Sequence, residues 1–442
     1  MAGGTWLSQN KVRPGAYINF KAVPKSAMTV GDRGIVAMGL SLDWGEEGKL
    51  IEVLSSDLLD GSSRKKVGFT AFDSESKLLA GALSYAYKAL VYRLNGGGTA
   101  ASGESGGLTV TAKCSGTFGN KITFSVALDT NDIYTVITYV NGETVDTQKV
   151  TDISELQDND YVSFAGDSAT ETTGVTLSGG TNGTVTENTA YPAMLQKLNM
   201  AHWQTMACFS TNAATKGSIQ TFIRQMREDE GRYVQAVVSE YDAADYEGII
   251  NVINGVTIDG VDFSAADSVA IAAGMTAGAN FNQSNTARKV NGATRVIGEK
   301  TDSEIKAALQ EGKWLFSTSA KGDVKVEQDI NSLHTYTSDR NYNFSKNRVI
   351  RTLDEIGTST KLTWEDTYMG KVDNNETGRN LFKADLIAYG KELQRLSGIQ
   401  EFAGADDISI EQGNDLDSVL VDWSVKPVDS IEKLYMTVRV RG

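Results

Sequence analysis

From Leu434 to Arg441 apolar and polar positions alternate. Leu434, Met436, Val438 and Val440 fall on one side, Tyr435, Thr437, Arg439 and Arg441 on the other. A period of two predicts a strand with one buried face. Val419, Val421, Trp423 and Val425 alternate in the same way against Leu420, Asp422, Ser424 and Lys426. Pro427 stands between the two runs and cannot donate a ladder hydrogen bond, which suits a connection. The last strand has nothing after it to cover its edge, and a bare edge invites a partner. Two readings are open: a hairpin within its own domain, or a strand exchanged between subunits.

Elsewhere the period is helical or mixed. GIVAMGL, from Gly34, is a short apolar strand, a helix is expected near Ser74 with Leu78, Leu79, Leu83, Ala86 and Leu90 on one face, and ALVYRLNGG is expected to run into a strand and a turn. Pro192 marks an expected helix start before Met194, Leu195, Leu198 and Met200. Strand-like TMACFS, a helix through Ile219, Phe222, Ile223 and Met226, and strand-like RYVQAVVS come next. In SAADSVAIAAGMTAGANF, Gly274 and Gly278 would allow close helix packing. Thr301 and Glu304 form a capping-box pattern, and WLFSTS follows as a strand. Such alternation favours a layered α/β domain.

Residues 96–190 differ in kind. GGGTAASGESGG has the composition of a flexible hinge. Thr-, Val- and Tyr-rich strand-like runs follow, with Asn141-Gly142 as a hairpin turn. The segment is an all-β module of sandwich size inserted into the α/β domain.

In the last third, Val349, Ile350, Leu353 and Ile356 predict one amphipathic helix. A second begins near Thr377. At about 100° per residue, Phe382, Leu386, Tyr389, Leu393 and Leu396 fall in a stripe about 80° wide. Arg379, Lys383, Lys391 and Arg395 occupy a separate sector of about 160°. A basic face in an acidic chain is either an ordinary solvated face or a docking surface for an acidic partner.

Composition narrows the function classes. The net charge is −14, so a phosphate backbone is an unfavourable partner. Residues 96–190 carry three lysines, no arginine and twelve acidic residues, which concentrates the excess there. No apolar run approaches the ~20 residues of a membrane span. The first residues lack a signal-peptide pattern, which leads to the expectation of cytoplasmic synthesis. Cys114 and Cys208 make no disulfide framework, and Cys208, in WQTMACF, is expected as a small buried hydrophobe.

Candidate chemistry is sparse. The glycine cluster at 96–107 has no following Gly-Lys-Ser/Thr, so it is not a phosphate loop. His202, expected in a helix beside Trp203, and His334, in NSLHTYTS, have no metal-ligand spacing. There is no GxSxG, and acidic pairs such as Glu365-Asp366 and Asp406-Asp407 read as solvated surface. Asn182-Gly183-Thr184 is formally a sequon but reads as a turn. No catalytic residue, metal or cofactor is expected.

Longer phrases carry more. EQDINSLHTYTSDRNYNFSKNRVIRTLDEI, KVDNNETGRNLFKADLIAYGKELQRL and PVDSIEKLYMTVRV resemble the C-terminal part of contractile-tail sheath proteins. The resemblance is to those of Gram-positive myophages and of defective-prophage or R-type bacteriocin particles. AKCSGTFGNKI and LSGGTNGT resemble the β-sandwich insertion of that family, AGMTAGANFNQSNTARKV its core, and RPGAYINF its N-terminal arm. The likeness runs along essentially the whole chain.

The resemblance implies a layered α/β core with an inserted β-sandwich and a C-terminal α+β domain ending in an exchanged strand. The expected domains are an extended arm at 1–25, the core at 26–95 and 191–340, an outward-facing sandwich at 96–190, and a C-terminal domain at 341–442. Tyr17, Ile18 and Phe20 would anchor one arm, and Leu434, Met436, Val438 and Val440 the other. Arg379, Lys383, Lys391 and Arg395 would face the inner tube. The implied partners are further copies of the chain in hexameric rings, the tail tube protein, and baseplate and tail terminator proteins, within a virion or phage-like tail particle. Neither direct nucleic-acid binding nor membrane insertion is implied. The sheath of a type VI secretion machine, usually divided between two chains, fits this single chain less well. The competing reading is an α/β enzyme of unknown chemistry with an appended β-sandwich binding module.

Overall fold

Val36, Met38 and Leu40 pack into one apolar core and Ile35 and Ala37 into another, so the first core strand, Ile35–Leu40, is buried on both faces. That is the pattern of a sheet covered by helices on two sides. The computed structural model describes residues 2–4, 15–17, 28, 31 and 33–441. They divide into two compact units: Gly31–Thr358 with Pro427–Gly442, and Met1–Val30 with Ser359–Lys426.

The larger unit is built on a seven-stranded sheet. Its order is Lys313–Trp314, Ile249–Val252, Gln235–Ser239, Thr205–Ala207, Ile35–Leu40, Lys88–Arg93 and Leu50–Leu54. Neighbours are parallel except the last pair. Helices Glu187–Asn199 and Ala213–Glu228 bury Met194, Leu198, Ile219, Ile223 and Met226 on one face. Helix Ala265–Gly278 covers the other with Val269, Ile271 and Met275. It crosses helix Lys77–Leu83 closely: a Cβ on Gly274 would lie 2.2 Å from the Ala82 carbonyl oxygen, and one on Gly278 1.9 Å from that of Tyr85. The two glycines therefore permit the close packing expected of them. The capping box also forms, with Thr301 Oγ1 accepting from the Glu304 N–H while Glu304 Oε2 accepts from the Thr301 N–H at 2.8 Å.

Several local expectations are corrected. The helix near Ser74 ends at Leu83, and Leu90 sits in a strand. Pairing of Lys88–Arg93 with Ile35–Leu40 claims that stretch, and tertiary pairing overrides helical periodicity. The helix containing Pro192 begins at Glu187, so the proline lies inside it. Glu187 Oε2 accepts the hydroxyls of Ser210 and Thr215, both at 2.7 Å, which ties that first turn to a neighbouring segment. His202 lies beyond the helix end at Asn199, against Gln204 at 3.1 Å.

The inserted module is a β-sandwich. One sheet runs Glu143–Val150, Tyr134–Val140, Ile122–Leu128, Thr172–Thr176, and the other Val162–Ala165, Leu108–Ser115, Ala100–Ser105. Phe118, Phe124, Val110 and Val136 fill its core. Asn141 and Gly142 both have positive φ, 51° and 81°, as a two-residue type I′ turn requires.

The glycine-rich entry is not a free hinge. Asn95–Gly96 pairs with Thr184–Val185, and Ala100–Ser105 is a sandwich strand. Thr181 closes on the incoming strand so tightly that a Cβ at Gly98 would meet its carbonyl oxygen at 2.2 Å. The glycines serve close approach of two backbones. Trp44, a core residue, is fully buried against Phe118 and Tyr161, with ring centroids 5.1 and 6.1 Å away. Arg93 donates to the carbonyls of Gly45, Ser115 and Asn182 at 2.9, 2.8 and 3.2 Å. Module and core are thus joined by an inserted tryptophan and a guanidinium that ties three segments. Asn182, the sequon asparagine, is consumed in this joint, its side chain accepting from the Thr117 N–H at 2.7 Å.

Residues 341–358 pack with the core rather than with the chain after Thr358. Helix Asn347–Thr363 buries Arg351 against Asp329 at 2.5 Å, and Asp354 forms a two-pronged pair with Arg227 at 2.6 and 2.9 Å. Removing one partner of such a buried pair costs about 3–5 kcal/mol.

In the smaller unit, Asn375 caps helix Glu376–Arg395, accepting from the Gly378 N–H at 2.9 Å. Phe382, Leu386, Tyr389 and Leu393 are buried, as the periodicity predicts. Phe382 meets Trp364 and Tyr368 at 5.1 and 4.7 Å, and Tyr389 meets Trp423 at 6.3 Å. Trp423 belongs to an antiparallel hairpin of Ile408–Gln412 and Val419–Trp423.

Candidate functional site

The residues that stand out are exposed and apolar. Leu434, Met436, Val438 and Val440 are 81, 71, 70 and 92 % accessible, as a segment with no cover of its own must be. Tyr435, on the alternate side, is also exposed. Residues 433–441 join no ladder and make no backbone hydrogen bond among the described residues. Both the side chains and the peptide groups of this segment are therefore unpartnered among the described residues. Among the described residues it is a strand sequence without a sheet.

The segment is rooted at one residue. Glu432 has a side chain only 9 % accessible, between the exposed Ile431 and Lys433. Its carboxylate accepts from Thr286 Oγ1 at 2.7 Å, Gln328 Nε2 at 2.6 Å and Lys346 Nζ. Burial pushes the carboxyl up, but these hydrogen bonds and the Lys346 charge outweigh it and hold Glu432 below its ordinary range. Burial would lower the Lys346 ammonium, yet Glu432 and Asp429 raise it. The carboxyl's contribution is complete above its ordinary value, about 4.3, and fades only as pH falls through the lower folded value. The ammonium's is complete below its ordinary value and fades as pH rises through the raised one. The clamp is closed across the neutral range.

The hairpin in the other unit is a sheet of two strands, with both outer edges open among the described residues. Leu416, Leu420 and Val421 are exposed on it. Two-stranded sheets are marginal alone. Glu411, Asp415, Asp417 and Asp422 are exposed there, and none takes part in an ion pair among the described residues.

Near the N-terminus, Ala2–Gly4 pairs in parallel with Gly15–Tyr17, aligning Gly4 with Tyr17. Only the backbone of Tyr17 is described, and Ile18 and Phe20 lie outside the described residues.

The basic helix face is less uniform than the helical wheel suggests. Arg395 is bound by Glu392 through two contacts of 2.6 and 2.7 Å, and Arg379 donates to Asn374 Oδ1 at 2.9 Å. Lys383 and Lys391 have no ion-pair partner among the described residues. Leu381, 52 % accessible, lies on the same helix with exposed Ala384 and Ala388.

Polar chemistry elsewhere is structural. His334 Nδ1 lies 2.9 Å from the Ser332 carbonyl, and burial lowers the His202 pKa. Cys208 is buried, and burial pushes its thiol up to about 11. Among the described residues no cluster of His, Cys, Asp and Glu could hold a metal, and no helix is long and apolar enough to cross a membrane.

The sequence reading missed three features: Trp44, Arg93 and Glu432. Each acts on partners distant in the chain, so local periodicity carries no trace of them. A tryptophan directly before Gly45 in a polar loop was the one available signal.

Comparison with known proteins bears on the whole chain. Residues 96–182 match the phage tail sheath protein beta-sandwich domain, 184–332 the phage tail sheath protein central domain, and 339–441 the phage tail sheath C-terminal domain. The phage-like element PBSX protein XkdK of Bacillus subtilis is 34 % identical across the full length of both chains. The crystal structure of a sheath tail protein from Desulfitobacterium hafniense superposes with a TM-score of 0.84 at 41 % identity, covering 96 % of this chain and all of that one. The helical sheath of the anti-feeding prophage in its contracted state shares the fold, with a TM-score of 0.59 at 9 % identity over 97 and 99 % of the two chains. Membership of this family implies a structural rather than a catalytic role. The chain belongs to the phage tail sheath protein family.

Proposed function

We propose that this chain is the sheath subunit of a contractile, phage-like tail, and that it polymerises as stacked hexameric rings around an inner tube. The observation that carries this reading is, among the described residues, an unpartnered C-terminal strand sequence together with an open-edged, two-stranded hairpin. The arm of one copy adds to the hairpin sheet of another, and backbone hydrogen bonds supply the affinity. Charge supports the pairing, because Lys433, Arg439 and Arg441 of the arm would meet Glu411, Asp415, Asp417 and Asp422. Tyr17, Ile18 and Phe20 form the second arm. Such head-to-tail contacts repeat along an axis without closing.

The extended sheath is a kinetically trapped state. A baseplate trigger releases it, subunits move into a lower-energy packing while their arms keep them linked, and the tube is driven through a target envelope. The tail terminator protein bounds the other end. The work is stored in assembly, so no nucleotide is consumed.

Negative-stain microscopy of the purified protein, alone and co-expressed with a tail tube protein, tests the reading. Striated hollow tubes are expected, and a compact closed oligomer in both preparations would refute it.

Lys383 and Lys391 are the cations offered to the tube. The double substitution Lys383→Glu, Lys391→Glu is expected to reduce co-sedimentation with tubes at least tenfold while leaving the melting temperature unchanged. Undiminished co-sedimentation would remove the helix from the tube contact.

The sandwich is assigned to the outer surface on the strength of its concentrated negative charge. Gly96 and Thr184 are paired, so the module can be excised by joining its two stems. Trp44 loses its cover in that deletion, and Trp44→Ser must accompany it. Tubes are expected to form still, and complete loss of ring contacts from a folded subunit would contradict the outward placement.

A further inference from the structure

We infer that Glu432 is the fixed root of the C-terminal arm, and that its seat on the core sets the distance the arm spans between subunits. This rests on the strand-exchange reading above. Pro427–Gly442 belongs with the core unit although it leaves the hairpin strand directly. Glu432 makes the closest tie of that stretch, beside the longer contact of Asp429 with Lys346 at 3.7 Å. Glu432 is buried in a segment whose neighbours are exposed, and it takes three donors from three separate stretches, at Thr286, Gln328 and Lys346.

The seat is prebuilt. Thr286 Oγ1 also accepts from the Asp329 N–H at 2.9 Å, and Asp329 in turn holds Arg351 at 2.5 Å and Asn347 at 3.0 Å. The Lys346 side chain is 6 % accessible, and without Glu432 its nearest carboxylate is Asp429 at 3.7 Å. A buried ammonium needs that close counter-charge, because desolvation penalises it heavily otherwise. The receptor is therefore electrostatically complete only with the arm root in place.

The consequence is geometric. From Glu432 to Val440 eight residues give an extended reach of at most about 26–29 Å. Without the anchor the next tie to the core is Asp429, 3.7 Å from Lys346 Nζ. Eleven residues then reach Val440 and span up to about 36–40 Å. Glu432 thus selects the short tether over the long one. It is a positioning residue for the exchanged strand and touches no strand partner itself.

Trypsin reads the anchor directly on the full chain. It cleaves after Lys433, next to the seat, and after Arg439, far from it, while the Lys426–Pro427 bond resists. Glu432→Ala is expected to raise cleavage after Lys433 at least fivefold relative to cleavage after Arg439. General destabilisation would raise both together. The seat variant Thr286→Val, Gln328→Ala is expected to do the same, and combining it with Glu432→Ala should add nothing further. An unchanged cleavage ratio, or fully additive effects, would overturn the anchor. In tubes, Glu432→Ala is expected to abolish assembly or broaden the axial repeat, and tubes with the parental repeat would overturn the span. If the parent forms no tubes with its tube protein, the strand-exchange reading fails, while the cleavage ratio still decides the anchor.

Discussion

A variant ending at Lys433 is expected to fold like the parent and to form no sheath. Residues 434–441 are exposed and make no hydrogen bond among the described residues, so their removal uncovers little apolar surface. At about 25 cal/mol per Å² of buried apolar area, a segment that buries so little contributes little to monomer stability. The melting temperature should stay within about 1–2 °C of the parent, well below the shift of about 2–4 °C that 1 kcal/mol gives in a domain of this class. Assembly is another matter. The truncation removes four apolar side chains and every peptide group that would enter a neighbour's sheet. Sedimentation and microscopy in the presence of tubes should show monomers at concentrations where the parent polymerises. Sheaths of normal length from the truncated chain would sink the exchange.

The second large effect concerns the fold. Gly274→Ala places a methyl group 2.2 Å from the Ala82 carbonyl oxygen. Alanine in mid-helix gains about 1 kcal/mol over glycine in propensity. The clash is with backbone of helix Lys77–Leu83, which cannot step aside without moving the helix, and overpacking costs about 1–3 kcal/mol or more. Since the helix lies against the central sheet, the clash should win. Gly274→Ala is expected to lose about 2 kcal/mol by urea denaturation, and Gly274→Val to yield little soluble protein. An unchanged or raised denaturation midpoint for Gly274→Ala would show that the two helices are not held at this distance.

Both glycines at that crossing are legible in the chain, because small residues spaced four apart on an apolar helix need a packing reason. The capping box at Thr301, the turn at Asn141-Gly142 and the buried stripe from Phe382 to Leu393 are legible for the same kind of reason: each is a local rule with a local mechanism. The errors have a common origin as well. Leu90 fits the helical periodicity as well as the strand run ALVYRLNGG, and pairing with Ala37, 53 positions upstream, decides for the strand. The glycines after Asn95 have the composition of a flexible linker, yet they let two strands of one joint approach. Composition reports what a backbone permits, and only the fold decides which permission is used.

The candidate site divides along the same line. The alternation of Leu434, Met436, Val438 and Val440 states that a strand wants a partner. That the described residues provide none is visible only in three dimensions. The basic sector of Arg379, Lys383, Lys391 and Arg395 was readable as a set, but Glu392 and Asn374 occupy two of the four. The root at Glu432 could not be read at all, since Lys346 lies 86 positions away and a lone glutamate before a lysine carries no pattern.

The central claim is that the arm of one subunit enters the hairpin sheet of another. Its most direct test is a photo-crosslinking residue at Val438 in tubes grown from a one-to-one mixture of ¹⁴N- and ¹⁵N-labelled subunits. The account predicts crosslinked peptides joining residues 434–441 to residues 408–423, with half of them carrying mixed isotopes. Peptides of a single isotope in every pair would show the arm folding back on its own chain, and the account would be wrong.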